Sequence, residues 1–267
     1  MKQVASLQYD VIFKKAFSDV TVFKGFVRDI LGINLEIDKV ETEKEFKPTI
    51  GHVKVKFDLY AEDSKNHIIV EIQHDRNDDH YDRFLHYHCV ALIDQAKNAE
   101  EYRSKTTVYT IVVLTSGDKH QCDVATIDFN PKRLDGRGLN EFKHKVIYLC
   151  PKYVNENTPL LYQEWLKAIN DSLDKQVDES QYTLSEIHTA FAHIEEDGIT
   201  PDERARMIEE SYLQKAERRG IEEGIDIGIE LGFIEGKLAT AKSMLAEGLD
   251  MKTVSKITGL SETQILS

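Results

Sequence analysis

Residues 106–116 read TTVYTIVVLTS, an almost unbroken run of β-branched and aromatic residues. Polar residues do not alternate with apolar ones here, so neither side of this strand is meant for water. Such runs belong to strands covered on both faces. The chain therefore has to provide a sheet with layers above and below it, and helices are the natural covering.

The flanking segments provide them. YDVIFKKAF (9–17) has apolar residues at 9, 12, 13, 16 and 17, one face of a helix. A second helix is expected over 20–31, stopped by Gly32. Strands are expected at about 36–46, 52–60 (HVKVKFDLY) and 67–74 (HIIVEIQH), with the turn-rich EDSKN closing the last two into a hairpin. A helical pattern follows over 78–103, then the buried strand, then a strand at about 144–150 (HKVIYLC) and a helix over 159–173. The order is that of a mixed α/β sandwich, not of a doubly wound nucleotide-binding fold.

A chain of 267 residues, 41% hydrophobic, has room for one large domain and an appendage. No window reaches 18 apolar residues and MKQVASLQYD lacks the apolar core of a signal peptide, so the expectation is a soluble cytoplasmic protein with no membrane partner. Cys89, Cys122 and Cys150 lie far apart in apolar surroundings and read as reduced core cysteines. The net charge of -13 is unevenly spread: residues 171–236 hold 18 acids and 6 bases, whereas 1–170 hold 26 and 24. Charge thus neither supports nor excludes a nucleic-acid partner for the first part.

After Pro151 the character changes to helices, of which the one over 159–173 closes the domain. A short one is expected at about 180–196 and a long acidic one over 203–236, in which glycine recurs at 220, 224, 228, 232 and 236. Four-residue spacing lines these glycines along one side of a helix. The row suits close helix–helix approach, and a flexible solvated connector is the alternative. The final segment breaks at Gly248 and Gly259, with Ser261 as an N-cap. MKTVSKITGLSETQI has a helix-turn-helix rhythm with Val254 and Ile257 inward, a pattern shared by DNA-binding modules and by hairpins that pack on a neighbour.

The chemistry is concentrated in FDLYAEDSKNHIIVEIQHD (57–75). Residues two apart in a strand share a side. Ile68, Val70 and Ile72 then face one layer while Ile69, Glu71 and Gln73 face the other; on the partner strand Phe57 and Leu59 turn inward and Asp58 and Tyr60 outward. The hairpin brings Asp58, Glu71 and Gln73 together. Two carboxylates beside a third polar group suit a divalent cation of the Mg²⁺ type, which takes oxygen ligands and keeps waters. Such an ion assists hydrolysis of a phosphodiester. His80, His86 and His88 share no helical face, which argues against zinc, and Asp75, Asp78 and Asp79 read as a solvated loop.

Asp58, twelve residues, then Glu71-Ile72-Gln73 resembles the PD-(D/E)xK nuclease signature, with glutamine where lysine is more common. YDVIFKKAF, YDRFLHYHCVALI, TTVYTIVVL, CPKY, EWLKAI, the glycine-row helix and AEGLDMKTVSKITGLSETQI together resemble the recombination-promoting nuclease/transposase family over nearly the whole chain. The resemblance implies a restriction-endonuclease-like mixed sheet flanked by helices, with an all-α C-terminal extension. It divides the chain into a nuclease-like domain (1–175), an acidic helical connector (176–236) and a helix-turn-helix-like tail (237–267). It also implies a metal-dependent DNA endonuclease using Mg²⁺ or Mn²⁺, linked to recombination or mobile elements.

Carried over by position, Asp58 and Glu71 match the metal-binding acids, Gln73 the residue that orients the attacking water, and Asp10 a further metal acid. Lys14, Arg83 and Tyr87 are candidates for DNA contact in the same cleft. The competing expectation is a catalytically weak DNA-binding protein on the same fold, forming a homo-oligomer through its C-terminal helices.

Overall fold

The computed structural model describes residues 1–46, 55–74, 80–95 and 106–266. Six strands make the main sheet: β2 (Glu41–Phe46), β3 (Val55–Glu62), β4 (Asn66–Gln73), β5 (Thr107–Leu114), β6 (Val124–Asp128) and β7 (Lys145–Leu149). Their order is β2-β3-β4-β5-β7-β6. β2, β3 and β4 form an antiparallel meander, β4, β5 and β7 run parallel, and β6 closes the far edge antiparallel to β7. A two-stranded ribbon pairs β1 (Lys2–Gln3) with β8 (Gln176–Val177).

β5 is buried on both faces, as its composition requires. Ile111 and Val113 join the larger core beneath α1 (Asp10–Phe17), α2 (Val20–Leu31), α4 (Leu160–Ser172) and α5 (Ser185–His193). Val108, Val112 and Leu114 face the opposite side, where α3 (His80–Asp94) supplies Phe84, Tyr87 and Ala91. Phe13, Phe17, Phe26 and Trp165 are fully buried and stack or meet edge to face. Each contributes roughly 1.5–3 kcal/mol by leaving water. This core reaches Ile199, because α5 adds Ile187, Ala190 and Phe191 to it.

The local signals act where expected. Asp19 caps α2 by accepting from Thr21 and Val22 N–H, and Gly32 ends it at φ 69, a left-handed conformation costly for any other residue. The strand expected from residue 36 begins only at Glu41, and α3 is described as far as Asp94. β6 has no clear sequence signature, since its pattern is only half buried.

Two expectations about the sheet and its loops are corrected. Phe57 joins Tyr60 on the α3 side, while Leu59 enters the larger core, so Phe57 and Leu59 do not share a face. The break in alternation falls at Asp58, where the ladder opens. Cys122 is exposed on the loop before β6, although all three cysteines are free thiols and Cys150 is buried. The segment 75–79, with Asp75, Asp78 and Asp79, lies outside the described residues.

Two compact units run Met1–Ile208 and Glu209–Ser267. The long helix α6 (Pro201–Ala246) begins in the first, and most of its length belongs to the second. In the second unit α6 is followed by α7 (Met251–Thr258) and α8 (Glu262–Leu266), and Ala241, Val254, Leu260 and Ile265 form its core. Val254 is inward, but Ile257 is 57% exposed. The buried face of this short helix runs from Val254 to Thr258, and Ile257, about 100° round the helix from Thr258, falls past the edge of that face. The glycine row lies in continuous helix, and a Cβ at any of its five positions would meet nothing within 4 Å. Among the described residues, no helix is long and apolar enough to cross a membrane.

Candidate active site

The antiparallel ladder between β3 and β4 runs from Glu62↔His67 to Leu59↔Val70 and stops there. β4 continues beside β5 as far as Gln73↔Leu114, so β3 parts from β4 at Asp58. Parting leaves backbone donors without ladder partners, and a buried unpaired N–H is costly. Side chains take them instead. Asp58 N–H donates to Glu71 Oε1 at 3.1 Å, and Ile72 N–H donates to Asp58 Oδ2 at 3.0 Å. Each carboxylate is thereby tied to the opposite strand. On the other side of β3, Glu43 adopts φ 57, a left-handed backbone that distorts β2 beside Asp58.

Two carboxyl groups in a partly dry site cannot both ionise at no cost. Burial and the nearby Asp10 charge push Asp58 up to about 6, against the pull of Lys14. Glu71 is raised well above the usual carboxylate range by burial first and then by Asp58. The Lys14 ammonium lies 2.7 Å from Asp10, 3.3 Å from Glu43 and 3.4 Å from Asp58. Burial alone would lower its affinity for a proton, yet the acids led by Asp58 outweigh this and hold it charged.

Gln73 is buried at the end of β4. Thr115 pins that end, its N–H donating to Gln73 O at 2.9 Å and its hydroxyl meeting His74 Nδ1 at 2.9 Å. From α3, Arg83 Nη2 donates to Gln73 Oε1. A guanidinium only donates, so the oxygen of the amide must face Arg83, and this settles which way the amide points. One turn along α3, Tyr87 packs on Phe57 with ring centroids 5.9 Å apart. Burial and the Glu71 charge raise its phenol.

All seven residues singled out from the sequence therefore converge on one region, with Asp10 and Asp58 on either side of Lys14. Glu43 was missed, because one acid among the alternating charges of ETEKEF carries no signal of its own. So was the cluster behind Gln73, where Asp118 meets His80 at 3.1 Å and accepts from the Tyr81 hydroxyl and the His120 N–H. Burial would raise Asp118, but these donors hold it below the usual range.

A family model described as PD-(D/E)XK nuclease family transposase matches residues 7–223. The chain belongs to this family. A second model, the C-terminal HTH domain of the Rpn/YhgA-like nuclease family, matches residues 235–266, the stretch that holds α7 and α8. No curated protein and no solved structure matches the chain. The mixed sheet flanked by helices is the restriction-endonuclease-like fold expected of the family.

PD-(D/E)XK nucleases generally use divalent metals, and the donor set suits one. Asp58 and Glu71 offer hard oxygens whose mutual repulsion a cation would relieve. Among the described residues no group of three or more His, Cys, Asp or Glu is placed to hold a metal.

Proposed function

We propose that the chain is a metal-dependent DNA endonuclease that hydrolyses phosphodiester bonds, acting in recombination or on mobile elements. The observation that carries this reading is the interlock of Asp58 and Glu71, which fixes two oxygen donors at the point where β3 leaves β4. Asp58 and Glu71 would hold Mg²⁺ or Mn²⁺, with Asp10 supporting them through Lys14. When bound, the ion polarises the phosphodiester and lowers the pKa of water.

The chain's own residues do the rest. Gln73, oriented by Arg83, positions the attacking water by hydrogen bonding. It supplies no charge, so the reaction is slower than with lysine at this position. Arg83, Lys14 and Tyr87 line the approach of the DNA backbone. The nuclease-like domain, expected over 1–175, takes in α5 as well, whose residues share its core, and 237–267 is the DNA-contacting tail.

The test is nicking of plasmid DNA with Mg²⁺ or Mn²⁺ by wild type and Asp58→Ala, with folding matched by thermal melting. Cleavage by wild type and its loss in the variant are expected. Equal cleavage by the two overturns the mechanism.

A second reading rests on the glycine row. Five glycines on α6 face open space, beside the exposed Ile221, Ile225 and Ile229, while Glu222, Asp226 and Glu230 lie on the other side. Such a surface suits self-association through the C-terminal helices. A chain that binds DNA and self-associates without cutting would fit this reading, and the nicking assay separates the two.

A further inference from the structure

Between β6 and β7 a narrow finger leaves the sheet. Its arms are joined by Leu139 N–H to Pro131 O at 2.8 Å, Arg133 N–H to Arg137 O at 2.8 Å and a bridge between Lys132 and Gly138. Gly136, at φ 87, donates to Arg133 O at 2.9 Å and turns the tip. The tip residue is Leu134, and it is fully exposed. A large apolar side chain held out on a hydrogen-bonded turn gains nothing from the fold.

Its surroundings are basic. Residues 129–145 carry five Lys or Arg and two acids in a chain of net charge -13. Asp135, the acid at the tip, is already matched by Arg137, whose Nε and Nη2 lie 2.8 and 2.6 Å from Asp135 Oδ2. Among the described residues Lys132, Arg133 and Lys143 form no ion pair. An apolar point flanked by uncompensated cations is the chemistry of a wedge that unstacks bases while its neighbours hold phosphates. Leu139 and Phe142 of the same segment are also exposed, at 44% and 51%, but Leu139 sits at the Pro131 pairing, behind the point.

The dimensions agree. From the Pro131–Leu139 pairing to the tip is about three residues, or roughly 10 Å at strand rise, against a minor groove about 7.5 Å deep. The root of the finger touches the helix that carries Arg83. Phe129 stacks on His88 of α3 at 4.8 Å, and Arg83, which holds Gln73, is five residues earlier on that helix, about 7.5 Å along its axis.

We propose that residues 129–145 form a DNA wedge: Leu134 enters the minor groove of a duplex and unstacks a base step, while Lys132, Arg133 and Lys143 neutralise the flanking phosphates. This deepens the nuclease reading and rests on its DNA substrate. The wedge would bend the duplex and bring a chosen phosphodiester toward Asp58 and Glu71.

The test uses the full chain in EDTA with duplexes carrying 2-aminopurine at successive positions, and reads fluorescence and affinity across salt. Wild type should brighten the probe at one or two steps. Leu134→Ser, at a solvent-exposed tip, should abolish the brightening with little change in salt slope. Lys132→Gln with Arg133→Gln should reduce the slope of log affinity against log salt by about two. Variants that match wild type in both readouts overturn the wedge and leave the nuclease reading to the plasmid assay. Failure of wild type to bind any duplex overturns wedge and substrate together, and unstacking of an RNA duplex alone overturns the choice of DNA.

Discussion

Lys14 stands 3.4 Å from Asp58 and makes its other ion pairs with Asp10 and Glu43, so its ammonium sets one positive charge beside the candidate metal position. A divalent cation drawn to Asp58 must enter against that charge. Lys14→Gln should therefore tighten Mn²⁺ binding at pH 8 by about tenfold, or ~1.4 kcal/mol, as read by titration calorimetry. Unchanged or weaker binding would show that the ammonium does not compete.

Arg83 and Gln73 make a second prediction. Because the guanidinium donates to the Gln73 oxygen, the lysine more common in this signature cannot stand at 73 without placing two cations together. Gln73→Lys should cost roughly 1–3 kcal/mol, the penalty of a buried polar group that loses its partner. Adding Arg83→Gln should recover a substantial part of that loss. A double-mutant cycle by urea denaturation measures the coupling, and strictly additive effects would exclude it.

The contrast between legible and illegible features follows their range in space. The two-sided burial of β5 was readable because one strand's composition reports on both faces at once. That Asp58 and Glu71 meet was readable from the short turn of the hairpin, although the alternation expected of β3 is not kept past Asp58. The side taken by Phe57 was not. It depends on the parting of β3 from β4, held by side-chain bonds from Asp58 and Glu71 and accompanied by a left-handed Glu43. None of these is a local propensity. The finger escaped for a related reason: NPKRLDGRGLNEF reads as a polar loop, and only the cross-arm hydrogen bonds make it a stiff projection.

His88 sets an acid limit on stability. It is fully buried, bonded through Nδ1 to Thr110 at 2.9 Å, and burial pushes its pKa down to about 3. The folded value lies below the unfolded one of about 6.5. Above that pH both states hold a neutral ring and stability does not respond. As pH falls from about 6.5 toward 3, the unfolded chain takes a proton that the folded chain refuses, and stability drops by up to about 1.4 kcal/mol per pH unit. His88→Gln should flatten the dependence of unfolding free energy on pH by about that slope between pH 6 and 4. Identical slopes would mean that the ring protonates in the fold.

The second unit offers a check on burial. Val254 is fully buried beside Ala241 and Leu260, whereas Ile257 is exposed on the same short helix. Val254→Ala should destabilise this unit by about 2 kcal/mol, and Ile257→Ala should stay within about 0.5 kcal/mol. Hydrogen exchange at α7 amides resolves the two. Comparable losses would place Ile257 in the core.

The glycine row gives opposite signs in two measurements. Since nothing lies within 4 Å of a Cβ at Gly224 or Gly228, alanine there is free of clashes within the chain and should stabilise α6 by about 1 kcal/mol per site. If the row is the contact surface of a second copy, the added methyl groups hold the two helices apart. Gly224→Ala with Gly228→Ala should then raise helix content and melting temperature at low concentration, and weaken self-association by light scattering at least tenfold. A rise in both stability and association would remove the glycines from the interface and leave their exposed isoleucine neighbours as the surface that associates.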